Sequence, residues 1–283
     1  MGGMKYMGSF LWCAIFLYYV SVNTISVVGI SAAQDLTLTP KELQALTKFR
    51  EMVKPRLENE HDYMKSDIYL IRWLRAKNLN LRQAENMLME NLKWRKQYNI
   101  DGIHDEDWSD MFQDYPYTND TFDLAGRPIG AFSLSDWDFR KAIASGKQVR
   151  LFRFMIKLLD EATNAVLRLQ QEGKNVTQWK VLMNMEGFNL VQHGCGSCLP
   201  GFSYFVQAYE NYYPGFADAI VTINTPSAFQ VVLNLVRPVF TPQTRESLKV
   251  FGTNRAQWMA YLDKEISKDQ RYPEYGGTRK PRF

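Results

Sequence analysis

The segment ADAIVTINTPSAFQVVLNLVRPVF (217–240) decides the fold class of this chain of 283 residues. Its first half is apolar, rich in β-branched residues and stopped by Pro226, which is typical of a buried strand. Its second half predicts a short apolar helix with Arg237 as its one charge. Because a surface helix is normally apolar on one face only, this helix is either core, buried on all sides, or an apolar lid that covers a lipid and can lie against a bilayer.

Strands and helices alternate through the rest of the chain after residue 123. Two further strands are predicted, one from Pro128 in DLAGRPIGAFSL (123–134) and one in TQWKVLMNME (177–186). The accompanying helices are predicted over 147–172, 199–212, 226–236, 242–248 and 254–267. Alternation of this kind is typical of an α/β domain with a largely parallel sheet.

The chain before this domain predicts an antiparallel helical module. TPKELQALTKFREMVKPRLEN (39–59) opens with a capping-box pattern and continues with apolar residues at helical spacing. Two more amphipathic helices are predicted over 66–77 and 80–98. In the first of these two, we expect the apolar residues to face inward and Arg72 and Arg75 to face solvent.

Residues 1–33 predict a secretory signal peptide. The segment has Lys5 near its start, an apolar run over 10–20 and small residues at 31–33, which is the order of features that signal peptidase substrates share. The pattern predicts cleavage after Ala33 and a secreted protein. The alternative is an uncleaved signal anchor that ties the protein to a membrane.

The motif VQHGCGSCLPG (191–201) contains the two cysteines that remain after removal of the signal segment, Cys195 and Cys198. Two cysteines in an oxidising compartment most simply form a disulfide. A zinc site needs four ligands, and the cysteines with the neighbouring histidine supply three at most. We therefore predict a disulfide that braces a turn. The sequons at Asn119 and Asn175 are predicted glycan sites on surface loops of the secreted chain.

Composition and motifs favour binding over catalysis. A net charge of +4 is too small to indicate nucleic-acid binding by itself, but it is compatible with an anionic membrane surface. The chain has no nucleophile elbow, Walker A or dinucleotide-binding glycine motif, and its three histidines lack metal-ligand spacing. We expect no enzyme and no cofactor. The alternatives are a secreted redox or hydrolytic enzyme, and a structural module with a vestigial pocket.

From about residue 38 to residue 278 the chain resembles the CRAL-TRIO lipid-binding proteins, in particular the animal tocopherol-associated or supernatant protein factor branch. The blocks that carry the resemblance occur in the family's order: LTPKELQALTKFRE, DLAGRPI, VLMNMEGFNL, ENYYPGFADAIVTINTPSAFQVVLNLVRPVF, TRESLKVFG and YPEYGGT. The resemblance implies an N-terminal helical domain (34–104) packed on a CRAL-TRIO α/β domain (105–283). We expect the chain to lack the additional C-terminal β domain of that branch.

The resemblance also implies where a ligand binds. The sheet should floor an apolar pocket for one lipid or isoprenoid, and a gate helix at 226–236 should close it. The residues expected to line this pocket are Phe154, Leu158, Met183, Met185, Phe202, Phe205, Ile220, Phe229, Val232, Leu233, Val236 and Phe240. Lys77 and Arg237 stand at positions that contact headgroups in the family.

One departure from the family bears on the ligand. Phosphatidylinositol-binding members carry Glu-Arg directly after the N-Y-Y-P block, whereas this chain has Gly215 and Phe216 there. Loss of the acid and the base favours a less polar ligand. We therefore expect a secreted monomer that carries a hydrophobic small molecule, contacts membranes transiently and binds no nucleic acid.

Overall fold

The computed structural model describes residues 35–280 and contains a five-stranded mixed sheet with the strand order β1-β2-β3-β4-β5. The strands are β1 (Thr118–Phe122), β2 (Pro128–Ser133), β3 (Trp179–Asn184), β4 (Ala217–Ile223) and β5 (Leu248–Val250). β1 pairs with β2 antiparallel, and the pairs from β2 to β5 are parallel. The predicted α/β class with a mostly parallel sheet is therefore confirmed. The predicted signal peptide lies outside the described residues.

Helices surround this sheet. They are α1 (Pro40–Leu57), α2 (Asp67–Ala76), α3 (Leu81–Gln97), α4 (Ser109–Phe112), α5 (Phe139–Ala144), α6 (Gln148–Gln171), α7 (Leu199–Tyr212), α8 (Gln230–Val236), α9 (Pro242–Ser247) and α10 (Arg255–Glu265). A 3₁₀ turn, Ser227–Phe229, precedes α8, so the predicted single helix over 226–236 begins as a tighter turn. Within residues 35–280, no helix is long and apolar enough to cross a membrane.

The two faces of the sheet pack against different cores. Alternate residues of a strand point to opposite faces, and in β3 this places Leu182 against α10 and Val181 on the other side. The α10 face is closed by Trp258 and Leu262, both fully buried. The opposite face is covered by α6, α7 and α8, and it belongs to the larger core.

The N-terminal helices form a module that packs on the α/β domain. α1 has the predicted capping box, with Thr39 and Glu42 satisfying each other's backbone N–H groups. Leu43, which the helical spacing places with the core residues of α1, is exposed instead. α3 packs against α7, where the rings of Trp94 and Tyr212 stack with centroids 4.0 Å apart. The apolar core continues from one unit into the other without a break.

The expectation that Arg72 faces solvent is wrong, because only 4% of the residue is exposed. Its guanidinium donates hydrogen bonds to the backbone carbonyls of Thr177 and Gly215 and lies 4.0 Å from the centroid of the Phe216 ring. These carbonyls precede β3 and β4, where buried backbone acceptors need donors. Arg72 therefore joins the helical module to the loops before β3 and β4.

A second buried charge joins the module to α6. Arg95 donates to Asp160 Oδ1 at 3.0 Å, and Asp160 also bonds to His104 at 3.0 Å and to the Tyr213 hydroxyl at 3.1 Å. Burial by itself raises the pKa of Asp160, but the His104 hydrogen bond and the Arg95 charge together lower it below its usual value. The carboxylate is thus ionised, and it ties α3 and α7 to α6.

We expect Asp160→Asn to lower the free energy of unfolding by about 3 kcal/mol, because Arg95 loses its buried partner and keeps only the half-exposed Asp101. Urea unfolding at neutral pH measures this change. Asp67→Asn is the control, since it breaks the exposed Arg50–Asp67 pair and should change stability by less than about 1 kcal/mol. Equal effects of the two substitutions would show that the buried pair does not hold the module in place.

Candidate functional site

An apolar cavity of about 200 Å³ lies between the sheet and the helices α6, α7 and α8. Alternate residues of β3 and β4 line it, namely Trp179, Val181, Met183, Ile220 and Thr222. β2 contributes its consecutive residues 128–132, and β5 contributes Leu248. From α6, residues at helical spacing line it: Met155, Leu158, Leu159, Glu161, Ala162, Ala165 and Arg168. Strand residues two apart and α6 residues three to four apart therefore face the same space.

The predicted lining residues are brought together, with one exception. Those that line the cavity are Leu158, Met183, Met185, Phe202, Phe205, Ile220, Phe229, Val232, Leu233, Val236 and Phe240. Phe154 lies behind the wall instead, where its ring packs 5.5 Å from the ring centroids of Trp108 and Phe112. Its position on α6 turns it away from the sheet and toward the helical segments before β1.

Sequence reasoning missed several residues of this site. Trp137 and Phe139 line the cavity from the segment that follows β2 and begins the short helix α5, where the elements are too short to give a periodic signal. Ala162 and Ala165 are small residues on the apolar stripe of α6. Small residues among the larger apolar residues of α6 leave space next to the sheet. The two alanines were therefore the feature of the sequence that could have indicated a cavity.

The helix α8 has two apolar faces with different surroundings. Val232, Leu233 and Val236 are buried and line the cavity. Val231 and Leu235, on the outer face, are 47% and 40% exposed. The sequence left two alternatives for this helix, a core helix buried on all sides or a lid. The first is wrong, since the outer face is in solvent.

Lys77 and Arg237 do not line the cavity. Lys77 is the C-cap residue of α2 in the helical module, and Arg237 is exposed at the end of α8. Their predicted contact with a headgroup stays a prediction. Gly215 and Phe216 serve the fold instead, because Gly215 has a positive φ of 72° and both residues contact Arg72.

The cysteine motif forms the predicted disulfide. Cys195 and Cys198 are bonded with their Cα atoms 4.9 Å apart, in the loop between β3 and α7. The neighbouring His193 is buried, and its Nδ1 accepts from the backbone N–H of Asn189 while its Nε2 lies 3.0 Å from the Leu134 carbonyl. The imidazole thus links two loops.

The sequon asparagines are both exposed. Asn175 lies in the loop between α6 and β3, as predicted, whereas Asn119 lies on the edge strand β1 rather than in a loop. The edge position was missed because TNDTF lacks the apolar alternation that marks a strand. Glycosylation at both positions stays a prediction.

A buried acidic cluster lies on the α10 side of the sheet. Asp123, Asp218 and Glu265 bring carboxylate oxygens within 4.8 Å of one another, a spacing that suits a cation. The Lys180 ammonium takes that position, at 2.7, 3.0 and 2.6 Å from the three carboxylates. Burial lowers the pKa of Lys180, but the surrounding carboxylates outweigh it and raise the pKa above its ordinary value. Arg127 also pairs with Asp123 and Asp218, so the cluster is a network of ion pairs on the α10 side of the sheet.

Comparison with known proteins agrees with this geometry. The family model described as CRAL/TRIO domain matches residues 112–277, more than half of the chain. The crystal structure of Sfh5 is similar in fold, with a TM-score of 0.67 over 86% of this chain and 89% of that chain. The two sequences are 15% identical, so this second likeness concerns the fold alone.

A larger side chain should affect stability less beside the cavity than in the packed core. Ala165→Leu places its new methyl groups in the cavity and should change the free energy of unfolding by less than about 1 kcal/mol. Ala84→Leu, the control on α3, adds the same volume to a fully buried site and should destabilise by about 1–3 kcal/mol. Thermal or urea unfolding measures both, and equal destabilisation would mean that the space beside Ala165 is closed.

Proposed function

The chain belongs to the CRAL/TRIO domain family, and we propose that it binds one hydrophobic lipid or isoprenoid in the cavity and carries it between membranes. Members of this family bind lipophilic ligands and transfer them, and they are in general not enzymes. The observation that carries the proposal is the cavity itself, whose lining is apolar on the sheet, on α7 and on α8.

The energetics of such a site require no covalent chemistry. A ligand that buries about 300 Å² of apolar surface gains roughly 7 kcal/mol from removal of that surface from water. Part of this gain is offset by the loss of translational and rotational freedom on binding. A lipid in a bilayer already has an apolar environment, so exchange between membrane and cavity is close to balanced and can run in either direction.

In this proposal α8 is the gate helix. Its inner face covers the cavity, and its outer face presents Val231 and Leu235 to solvent. Insertion of these side chains into a bilayer compensates for the contacts that the inner face loses when the helix moves. Movement of α8 away from the cavity is then coupled to contact with the membrane. This coupling keeps the ligand from water during transfer.

The proposed site of action is the extracellular fluid. The N-terminal segment 1–33 favours secretion, and the Cys195–Cys198 disulfide suits an oxidising compartment. In the alternative, the same segment anchors the protein, and transfer is confined to one membrane and its surroundings.

We expect native mass spectrometry of the purified protein, followed by organic extraction, to show one bound lipid per chain. Ala162→Trp should reduce lipid uptake at least tenfold, because the indole occupies the cavity that Ala162 lines. Ala260→Trp, at an exposed position on α10, is the control and should leave uptake unchanged. A wild-type protein that contains no lipid and takes up none would support the structural module with a vestigial pocket.

We expect the double variant Val231→Asp with Leu235→Asp to slow lipid transfer between vesicles about tenfold or more. Each substitution removes an apolar side chain whose insertion contributes about 1.5–3 kcal/mol, while neither residue faces the cavity. Val149→Asp, on a side chain that is 79% exposed at the start of α6, is the control. A fluorescent-lipid transfer assay measures the rate, and an unchanged rate in the double variant would exclude docking through α8.

A further inference from the structure

The two sulfurs of the Cys195–Cys198 disulfide have unequal surroundings. Cys195 is partly exposed, whereas only 2% of Cys198 is exposed. Gly196 and Ser197, which lie between them, are exposed, and a Cβ atom on Gly196 would meet no atom within 4 Å beyond its chain neighbours. A small molecule in solvent can therefore approach the sulfur of Cys195 but not that of Cys198.

The pair lies in a helical turn that runs directly into α7. The Cys195 carbonyl accepts hydrogen bonds from the N–H groups of Cys198 at 2.7 Å and Leu199 at 3.0 Å, and α7 spans 14 residues from Leu199. The start of a helix carries a partial positive charge, which favours a thiolate over a thiol. The Ser197 hydroxyl lies 3.3 Å from Cys195 Sγ and can donate to it. Both features stabilise a thiolate at Cys195.

The buried sulfur has a neighbour that suits a thiol. Cys198 Sγ lies 3.7 Å from the Gln192 carbonyl oxygen, close enough for the weak hydrogen bond that an S–H group donates. In the disulfide this sulfur has no proton to donate, whereas the reduced Cys198 has one. The reduced pair therefore has an acceptor for its buried thiol at the position that the sulfur already occupies.

Other contacts hold this loop when the disulfide is open. The Gln192 carbonyl accepts from the Arg140 N–H at 2.9 Å, and His193 Nε2 lies 3.0 Å from the Leu134 carbonyl. A disulfide that closes a ring of four residues removes little conformational entropy from the unfolded chain, so it contributes little to stability. The bond can thus open and close in the folded protein.

We propose that Cys195 and Cys198 form a thiol–disulfide exchange site for small thiols and disulfides of the glutathione class. Cys195 is the sulfur that exchanges with the external molecule, and Cys198 is the leaving and resolving sulfur. Neither cysteine lines the cavity, so this exchange is separate from the proposed carrier function.

In the exchange an external thiolate attacks Cys195 Sγ, and the S–S bond breaks. The electron pair of that bond passes to Cys198 Sγ, which takes a proton from water, and a mixed disulfide remains on Cys195. A second external thiolate attacks the external sulfur of the mixed disulfide and releases Cys195 as a thiolate. Two thiols are thereby oxidised to one disulfide, and their two electrons reduce the cysteine pair. With an external disulfide the same steps run in reverse.

The first experiment follows reduction of the wild-type disulfide by dithiothreitol at several urea concentrations below the unfolding transition. Reduced pairs are trapped with iodoacetamide and quantified by peptide mass spectrometry, while circular dichroism reports folding. The rate should change by less than about twofold with urea, because attack on the folded protein requires no unfolding. A rate that rises in proportion to the unfolded fraction would show that the bond is closed to external thiols in the folded protein, and would overturn the proposal.

Two matched variants test the unequal roles of the sulfurs. Cys198→Ser leaves the partly exposed Cys195 free, and Cys195→Ser leaves the buried Cys198 free. With glutathione disulfide, Cys198→Ser should form its mixed disulfide at least about tenfold faster, because the buried sulfur is inaccessible to the reagent. Peptide mass spectrometry locates the adduct, and equal rates in the two folded variants contradict the assignment of Cys195. The wild-type experiment decides the proposal if a variant does not fold.

Discussion

A parallel sheet must be shielded from water on both faces, and this chain meets that requirement in two different ways. On one face α10 packs directly on the strands, with Trp258 and Leu262 fully buried. On the other face the covering helices leave the cavity between themselves and the strands. On this face the strand residues form the floor of the cavity, so the proposed capacity to hold a ligand follows from incomplete packing.

An unfilled space of this kind persists only if contacts beyond the cavity hold its walls in position. Arg72 and the Arg95–Asp160 pair attach the helical module to the loops before β3 and β4 and to α6. The stacked rings of Trp94 and Tyr212 fix α7 in the same way. α8 has no comparable polar attachment on its buried face, where Val232, Leu233 and Val236 make apolar contacts. The wall that we propose to contact a bilayer is thus the one held by non-directional forces.

The sequence predicted the elements better than it predicted the polar contacts. Apolar runs bounded by turn residues identified β2 to β4, whereas the expected lining residues came from the resemblance to the CRAL-TRIO proteins. The same reasoning placed Arg72 in solvent, since a count of apolar residues cannot show that two buried carbonyls require a donor. It also passed over Lys157, Glu161 and Tyr117, which come from separate parts of the chain and acquire meaning only when folding joins them.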